Sequence, residues 1–145
     1  MKVLFLFFVV IIIFPNTTLG QHQNRISTKK IEVENNFKII NHIILQLENK
    51  KNWNKQSKFG EECDLKASQQ TLGCAIKKAQ IEIIGVYKHR SRLMKIIRHK
   101  IQKHFFFRQG FHPIDGFNKN KRTSHKEILY LLNAVKTQLL EREDT

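Results

Sequence analysis

Apolar residues recur at spacings of three and four residues in four separate segments of this chain, and in the first two segments the spacing alternates regularly between four and three. That spacing matches the turn of roughly 3.6 residues of an α-helix with one buried face. The stripes are Val33, Phe37, Ile40, Ile44 and Leu47; Leu72, Ile76, Ala79, Ile83 and Val86; Leu93, Ile96, Ile97, Ile101 and Phe105; and Ile128, Leu131, Leu132, Val135 and Leu139. A β-rich fold needs many turns, yet the 145 residues include only six Gly and two Pro. The sequence therefore predicts an all-α fold.

Local signals predict the ends of the first two helices. The first helix should begin near Lys29, after a polar and frayed stretch, and should end within residues 49–54, where Asn and charged residues accumulate. Ser68 and Thr71 are both candidates to cap the second helix, because each offers a side-chain oxygen to the first turn. Gly85 either ends that helix or bends the chain before the next one.

The third and fourth helices carry clearer starting signals. Ser91 is a candidate N-cap for the third helix, although one long kinked helix that joins it to the second is also compatible with the pattern. Ser124 followed by Glu127 forms a capping box, in which the hydroxyl and the carboxylate each satisfy a free backbone N–H group. The fourth helix is therefore predicted to begin directly after Ser124.

Two long polar links separate the first helix from the second and the third from the fourth. Residues 55–64 are polar, with one Gly and no helical period, and residues 111–122 combine Pro, Gly, Asn and Lys, so we predict loops, the later one mobile. Four amphipathic helices around one core predict a four-helix bundle. Long first and last links allow parallel neighbours, so the predicted order is up-up-down-down.

The N-terminus predicts export from the cell. Lys2 precedes an unbroken apolar run over residues 3–14, and small residues follow at Thr18 to Gly20. This is the layout of a secretory signal peptide, removed after Gly20. A membrane anchor is the alternative, but the run is well short of the roughly 20 residues that a bilayer requires. We therefore predict a signal peptide over residues 1–20 and one secreted, extracellular domain over residues 21–145, of a size that can bury a single core.

The two cysteines, Cys63 and Cys74, suit an oxidising compartment. Within one chain they can only pair with each other, and two free thiols or an intermolecular bridge are the alternatives. An exposed free thiol outside the cell is reactive, which favours the internal disulfide bond. Such a bond closes a short loop worth about 2–3 kcal/mol in the chain-entropy model.

The third helix has a strongly basic face. Seven cations lie along it with no carboxylate between them: Arg90, Arg92, Lys95, Arg98, Lys100, Lys103 and Arg108. A charged face can simply be solvated, but like charges at these spacings destabilise a helix, which favours a role in binding an acidic partner. Phe105, Phe106 and Phe107 exceed what one helix stripe can bury, so at least one ring should be exposed or lie under the following loop.

The sequence shows no motif for chemistry. There is no phosphate-binding glycine loop, and no zinc spacing joins the cysteines to the seven histidines, which are scattered along the chain. A Cys–His nucleophile would need a thiol of lowered pKa in a cleft, whereas the cysteines are better explained as a disulfide bond. We therefore predict a protein without catalytic residues, metal or cofactor.

Several short segments resemble one cytokine family. Glu61-Glu62-Cys63, the later Cys74 and Lys77-Lys78-Ala79-Gln80 are similar to the start of the second helix in interleukin-21. Residues 44–50 resemble a leucine-rich segment of its first helix, and Lys126-Glu127-Ile128-Leu129 resembles the start of the last helix in interleukin-21 and interleukin-15. The chain thus resembles the interleukin-2/-15/-21 family of short-chain four-helix-bundle cytokines over most of its length.

This resemblance implies a secreted monomeric cytokine that bridges a private receptor chain and the common cytokine receptor gamma chain on lymphocytes. On the private chain it implies contacts from the basic third helix, at Arg90, Arg92, Lys95, Arg98, Lys100 and Lys103. On the gamma chain it implies contacts from the last helix, at Lys136, Thr137, Gln138, Leu140 and Glu141.

The chain departs from the family at three places, of which the first is the spacing between Cys63 and Cys74, longer here than in the family. The Gln through which the family's last helix contacts the gamma chain falls on Thr137, with Gln138 next, and one residue turns a helical side chain by about 100°. The family also has a cysteine pair in the loop before the last helix, and residues 111–122 contain no cysteine. The family's disulfide pattern therefore cannot be transferred to this chain.

A second hypothesis comes from another class of protein. A cationic secreted protein could act on anionic membranes or sulfated glycans through the same basic third helix, since basic amphipathic helices lie on anionic bilayers. Binding to sulfated glycans is compatible with both hypotheses. Nucleic acid is not an expected partner, because the predicted secretory route separates the protein from it.

Overall fold

The computed structural model describes residues 18–56 and 63–141, with side chains from residue 27 onward. Residues 1–17 of the predicted signal peptide lie outside the described residues. The helices are α1 (Thr18–Leu47), α2 (Leu72–Ile84), α3 (Arg92–Phe105), α4 (Pro113–Lys119) and α5 (His125–Glu141). Two short 3₁₀ turns cover Lys50–Asn52 and Phe106–Arg108. The described residues contain five helices and no strand, which confirms the all-α prediction.

The five helices pack in a ring around one core. Helix α1 lies against α2 and α5, α5 lies against α3, and α4 fills the space between α3 and α2. The core is aliphatic at its centre, with Ile40, Ile43, Leu72, Ile97 and Leu132 fully buried. All four predicted stripes contribute to it, although Val86, placed last in the second stripe, is exposed.

The predicted capping residues of three helices are confirmed. Thr71 accepts a hydrogen bond from the Cys74 N–H group at 3.1 Å, and Ser91 accepts one from the Met94 N–H group at 3.3 Å. Gly85 ends α2 in the left-handed conformation, with φ of 73°, so α2 and α3 are separate helices. In the capping box, the Ser124 N–H group donates to the Glu127 carboxylate at 2.8 Å.

Two boundary predictions are corrected. Helix α1 begins at Thr18 instead of near Lys29, so the polar stretch over residues 21–28 is helical. The predicted loop over residues 111–122 contains α4. Pro113 suits the first position of a helix, which needs no N–H donor, and Ile114, Phe117 and Asn118 form a buried face. The local pattern missed α4 because about two turns with two large apolar side chains have no detectable period.

The cysteine prediction is confirmed. Cys63 and Cys74 form a disulfide bond with their Cα atoms 5.3 Å apart. The bond ties the end of the first link to the opening turn of α2. Two backbone hydrogen bonds join the beginning of that link to its end. The Gln70 N–H group donates to the Asn52 carbonyl at 2.7 Å, and the Asn54 N–H group donates to the Gln70 carbonyl at 2.9 Å.

Candidate functional site

The basic residues of α3 do not share one face. Because successive helical residues are about 100° apart, Arg92, Lys95 and Lys103 lie on the outward arc, away from the buried Leu93 and Ile97; Lys95 and Lys103 are exposed and Arg92 is half-buried. Arg98 and Lys100, two residues apart, lie on opposite edges of the buried stripe, and both are half-buried. Arg90 precedes the helix and is exposed. The outward arc of α3 is therefore the surface most open to a partner.

These outward cations are not neutralised within the described part of the chain. Arg92, Lys95 and Lys103 form no ion pair with a described carboxylate, whereas the three described ion pairs lie elsewhere: Glu34 with Lys38, Glu82 with His42, and Glu127 with Arg108. The charge distribution along the chain is similarly uneven. Between Glu82 and Glu127 lie twelve Lys or Arg residues and one carboxylate, Asp115, while the rest of the chain has fourteen cations and eleven carboxylates.

Arg98 belongs to a corner between α3 and the residues that precede it. Its Nη2 atom donates to the His89 backbone carbonyl at 2.9 Å and lies 3.0 and 3.3 Å from the two His89 ring nitrogens. The Tyr87 hydroxyl contacts the His89 Nδ1 atom at 3.2 Å. Arg98 is thus held in place, unlike Lys95 and Lys103.

This corner forms one wall of a cavity of about 260 Å³ that Asp115 and Ile114 of α4 also line. Burial raises the pKa of Tyr87, and the carboxylate of Asp115 adds to this, although the charge of Arg98 opposes both effects. The phenol is therefore neutral at physiological pH. On the far wall, a Cβ atom at Gly73 would lie 2.9 Å from an Asp115 carboxylate oxygen, a contact that the exposed Asp115 side chain can relieve by moving.

The residues of α5 that the resemblance assigns to the gamma chain do not share one face either. Some lie on the exposed face of α5 and others at the edges of its buried stripe. Thr137, Leu140 and Glu141 are exposed, and the Thr137 hydroxyl donates to the Asn133 carbonyl at 3.1 Å. Lys136 lies on the edge that faces α1, with its ammonium group 5.4 Å from the centre of the Phe37 ring. Gln138 lies on the opposite edge, and its buried Oε1 atom has no partner among the described residues. Residue 137, which the resemblance aligns with the family's Gln, is thus outward-facing, and Gln138 is not.

A polar hub that the sequence did not reveal holds the two links together. The buried side chain of Asn118 accepts hydrogen bonds from the Trp53 indole N–H at 2.8 Å and from the Leu72 N–H group at 3.0 Å. Its Nδ2 atom donates to the carbonyls of Asn54 at 3.1 Å and Lys55 at 3.3 Å. The hydrogen-bonding capacity of the amide is therefore fully used. Its partners are 46 to 65 residues away in the chain, so no local signal could have identified it.

Three phenylalanines form an exposed edge between α3 and α4. Phe106, Phe107 and Phe111 are 60%, 94% and 93% exposed. The sequence predicted an exposed ring within residues 105–107, which is confirmed, but it did not single out Phe111. We call Phe106, Phe107 and Phe111 the aromatic edge.

A groove of about 550 Å³ lies between α1 and the end of α2. Its lining includes the buried side chains of Asn36 and Gln80, whose Nδ2 and Nε2 atoms have no hydrogen-bond partner among the described residues. The Gln80 Oε1 atom accepts from the Lys88 N–H group at 2.6 Å, which fixes the orientation of that amide.

No group of three His, Cys, Asp or Glu side chains in the described ranges could hold a metal ion. Over the same ranges, none of the helices combines the length and the apolarity that crossing a bilayer requires.

Comparison with protein-family models, with curated proteins and with solved structures gives no match for this chain. Membership of the interleukin-2/-15/-21 family therefore stays a prediction from the residues that carry the resemblance.

Proposed function

We propose that this protein is a secreted helical cytokine that acts by holding two receptor chains together, with no chemistry of its own. The observation that carries the proposal is the outward arc of α3, where Arg92, Lys95 and Lys103 have no described carboxylate partner. Unpaired like charges on one arc destabilise a helix slightly and attract acidic partners. An acidic receptor surface is the partner that the predicted secretion and the resemblance favour.

The second receptor contact falls on α5. Thr137, Leu140 and Glu141 form an outward surface of mixed polar and apolar character, the kind of patch on which a protein partner finds both a small apolar anchor and polar contacts. The α3 and α5 surfaces are on different helices of one packed core, so the two receptor chains would be held at a fixed separation. We propose that the helices follow the up-up-down-down order, with the common gamma chain on the α5 surface and the private chain on α3.

The test is binding of the purified protein to lymphocytes and to the immobilised ectodomain of the common gamma chain, by flow cytometry and surface plasmon resonance. In the variant K95E/K103E, cell binding should fall at least tenfold while the affinity for the gamma-chain ectodomain is unchanged. The control K50E/K51E makes the same change in net charge at two exposed lysines outside α3 and should leave both affinities unchanged. No binding of the wild-type protein to either target would overturn the proposal, and an equal loss in both variants would overturn the assignment of α3.

A further inference from the structure

The aromatic edge is fixed to the core and exposes its rings from a defined position. Phe105, the residue before it, packs against the buried Phe117 with ring centres 4.5 Å apart. Gly110 has a positive φ of 56°, and a Cβ atom at Gly116 would overlap the Gln109 carbonyl, so the chain between Phe107 and Phe111 lies directly on α4. Phe106 and Phe107 contact each other edge to face, with ring centres 5.4 Å apart. Phe111 lies four residues after Phe107, within about 15 Å of chain.

Three exposed phenylalanines in one short segment leave a large apolar area in contact with water, which is unfavourable. Fully burying a Phe side chain is worth roughly tenfold to a hundredfold in an equilibrium constant, and the same segment buries Phe105 and Phe117 against the core. Contiguous exposed apolar residues rimmed by polar residues mark an interaction site. No described segment of the chain covers these rings, so only an apolar surface from another molecule would bury them.

The charge around the aromatic edge indicates which kind of apolar surface it can bind. Lys103 and His104 precede the edge, and the exposed Lys121 and Arg122 follow α4. The carboxylate of Glu127 is engaged by Arg108, which leaves Asp115 as the one other carboxylate between Glu82 and Glu127. Arg122 lies near the edge, since its carbonyl accepts a hydrogen bond from Arg108 at 3.3 Å. A surface that combines exposed aromatic rings with cations from neighbouring segments is complementary to a bilayer with anionic headgroups, since each of the two attractions alone gives weak binding.

We propose that the aromatic edge inserts Phe107 and Phe111 into the headgroup region of an anionic bilayer, with Lys121 and Arg122 against the phosphates. A sulfated glycan would attract the same cations but would offer no apolar phase to the rings, so the exposed rings favour lipid. The anchor differs from the outward arc of α3, which has cations and no exposed aromatic ring. The interaction is independent of the receptor contacts proposed above.

The experiment uses protein expressed from the full sequence and vesicles of phosphatidylcholine with about 30% phosphatidylserine, with pure phosphatidylcholine vesicles and immobilised heparin as comparison surfaces. Co-sedimentation measures vesicle binding. Wild-type protein should bind the anionic vesicles and not the neutral ones, and F107S/F111S should weaken that binding at least tenfold with heparin binding unchanged. The control I31S/L45S removes two exposed apolar side chains from α1 and should bind the vesicles as the wild type does.

Phe107→Trp provides a measurement that does not depend on loss of binding. Its fluorescence should shift to the blue with anionic vesicles, relative to the wild type, in which Trp53 contacts Asn118 at the polar hub. Three results would overturn the proposal: equal vesicle binding by F107S/F111S and the wild type, no shift for Phe107→Trp, or a parallel loss of heparin binding. Because no receptor is present, failure here leaves the cytokine proposal intact, and failure of receptor binding leaves this one intact.

Discussion

The segment that joins α3 to α5 has two sides with opposite environments. On one side, Phe117 and Asn118 are fully buried, and on the other, Phe107 and Phe111 are almost fully exposed. The same residue type is thus used for the core and for the surface within a few residues of chain. What separates the two sides is position: Phe117 lies on the face of α4 that fills the gap between α2 and α3, whereas the aromatic edge precedes that helix. Residue type alone does not decide burial here.

Phe117→Ala should give the largest effect on this comparison. Removing a fully buried ring that packs against Phe105 should lower the free energy of unfolding by about 3–5 kcal/mol, because lost burial and a cavity add together. The matched change Phe107→Ala should lower the free energy of unfolding by less than about 0.5 kcal/mol, because the Phe107 ring is almost fully exposed and makes few contacts. Urea unfolding followed by circular dichroism at 222 nm measures both. Similar losses of unfolding free energy in the two variants would show that Phe117 and Phe107 contribute equally to stability.

Asn118→Leu should come next, with a loss of about 3–4 kcal/mol. Leucine has a similar volume but leaves the Trp53 indole and the Leu72 N–H group without an acceptor, and each buried unsatisfied group costs about 1–3 kcal/mol. Asn120→Leu is the control in the same segment, because its side chain makes only a local bond to the Arg122 N–H group. If the two variants unfold at the same urea concentration, the hub does not hold the links together.

Glu127 at the start of α5 is paired with Arg108, which follows Phe107. The contribution of this carboxylate to the free energy of unfolding should depend on pH. Burial raises the pKa of this carboxyl, but hydrogen bonds from Ser124 and Arg108, with the charge of Arg108, outweigh burial and hold the pKa below its ordinary value of 4.5. The carboxylate therefore stabilises the fold above pH 4.5, and this contribution is lost as the pH falls through the folded pKa. Glu127→Gln should cost about 1–2 kcal/mol at pH 7.

The measurement for Glu127 is the difference in unfolding free energy between the wild type and Glu127→Gln from pH 7 to pH 3. The difference should be constant down to about pH 5 and shrink below it. A difference that does not change with pH would mean that the charge of Glu127 contributes nothing.

Asn36→Leu should give the smallest effect, with the opposite sign. Asn36 is a second buried asparagine, but its Nδ2 atom lacks the partners that Asn118 has among the described residues. Replacing an unsatisfied polar group by an apolar one should stabilise the protein by about 1 kcal/mol or less. Thermal unfolding by calorimetry measures the shift. A lower unfolding temperature would show that Asn36 has a partner, such as an ordered water, that the protein needs.

Much of the helical structure could be predicted from sequence because its signals are local. The apolar period located α1, α2, α3 and α5, and the Thr71, Ser91 and Ser124 hydroxyls cap helices within three residues of themselves. The Cys63–Cys74 pairing followed from the presence of only two cysteines. The candidate binding surface was predicted less well. The sequence predicted that α3 is basic, but not that Arg98 would contact His89 while Lys95 and Lys103 remain on the outward arc.

The chain by itself determined four of the five described helices, the starts of three of them, and that its positive charge is concentrated between Glu82 and Glu127. Only the tertiary structure decided that α4 forms and closes the ring, that Asn118 joins two links, and that Phe107 and Phe111 are left outside. The physical reason is range. Helical periodicity and capping act over three or four residues, whereas a short helix with two apolar side chains is stable only when distant segments bury it.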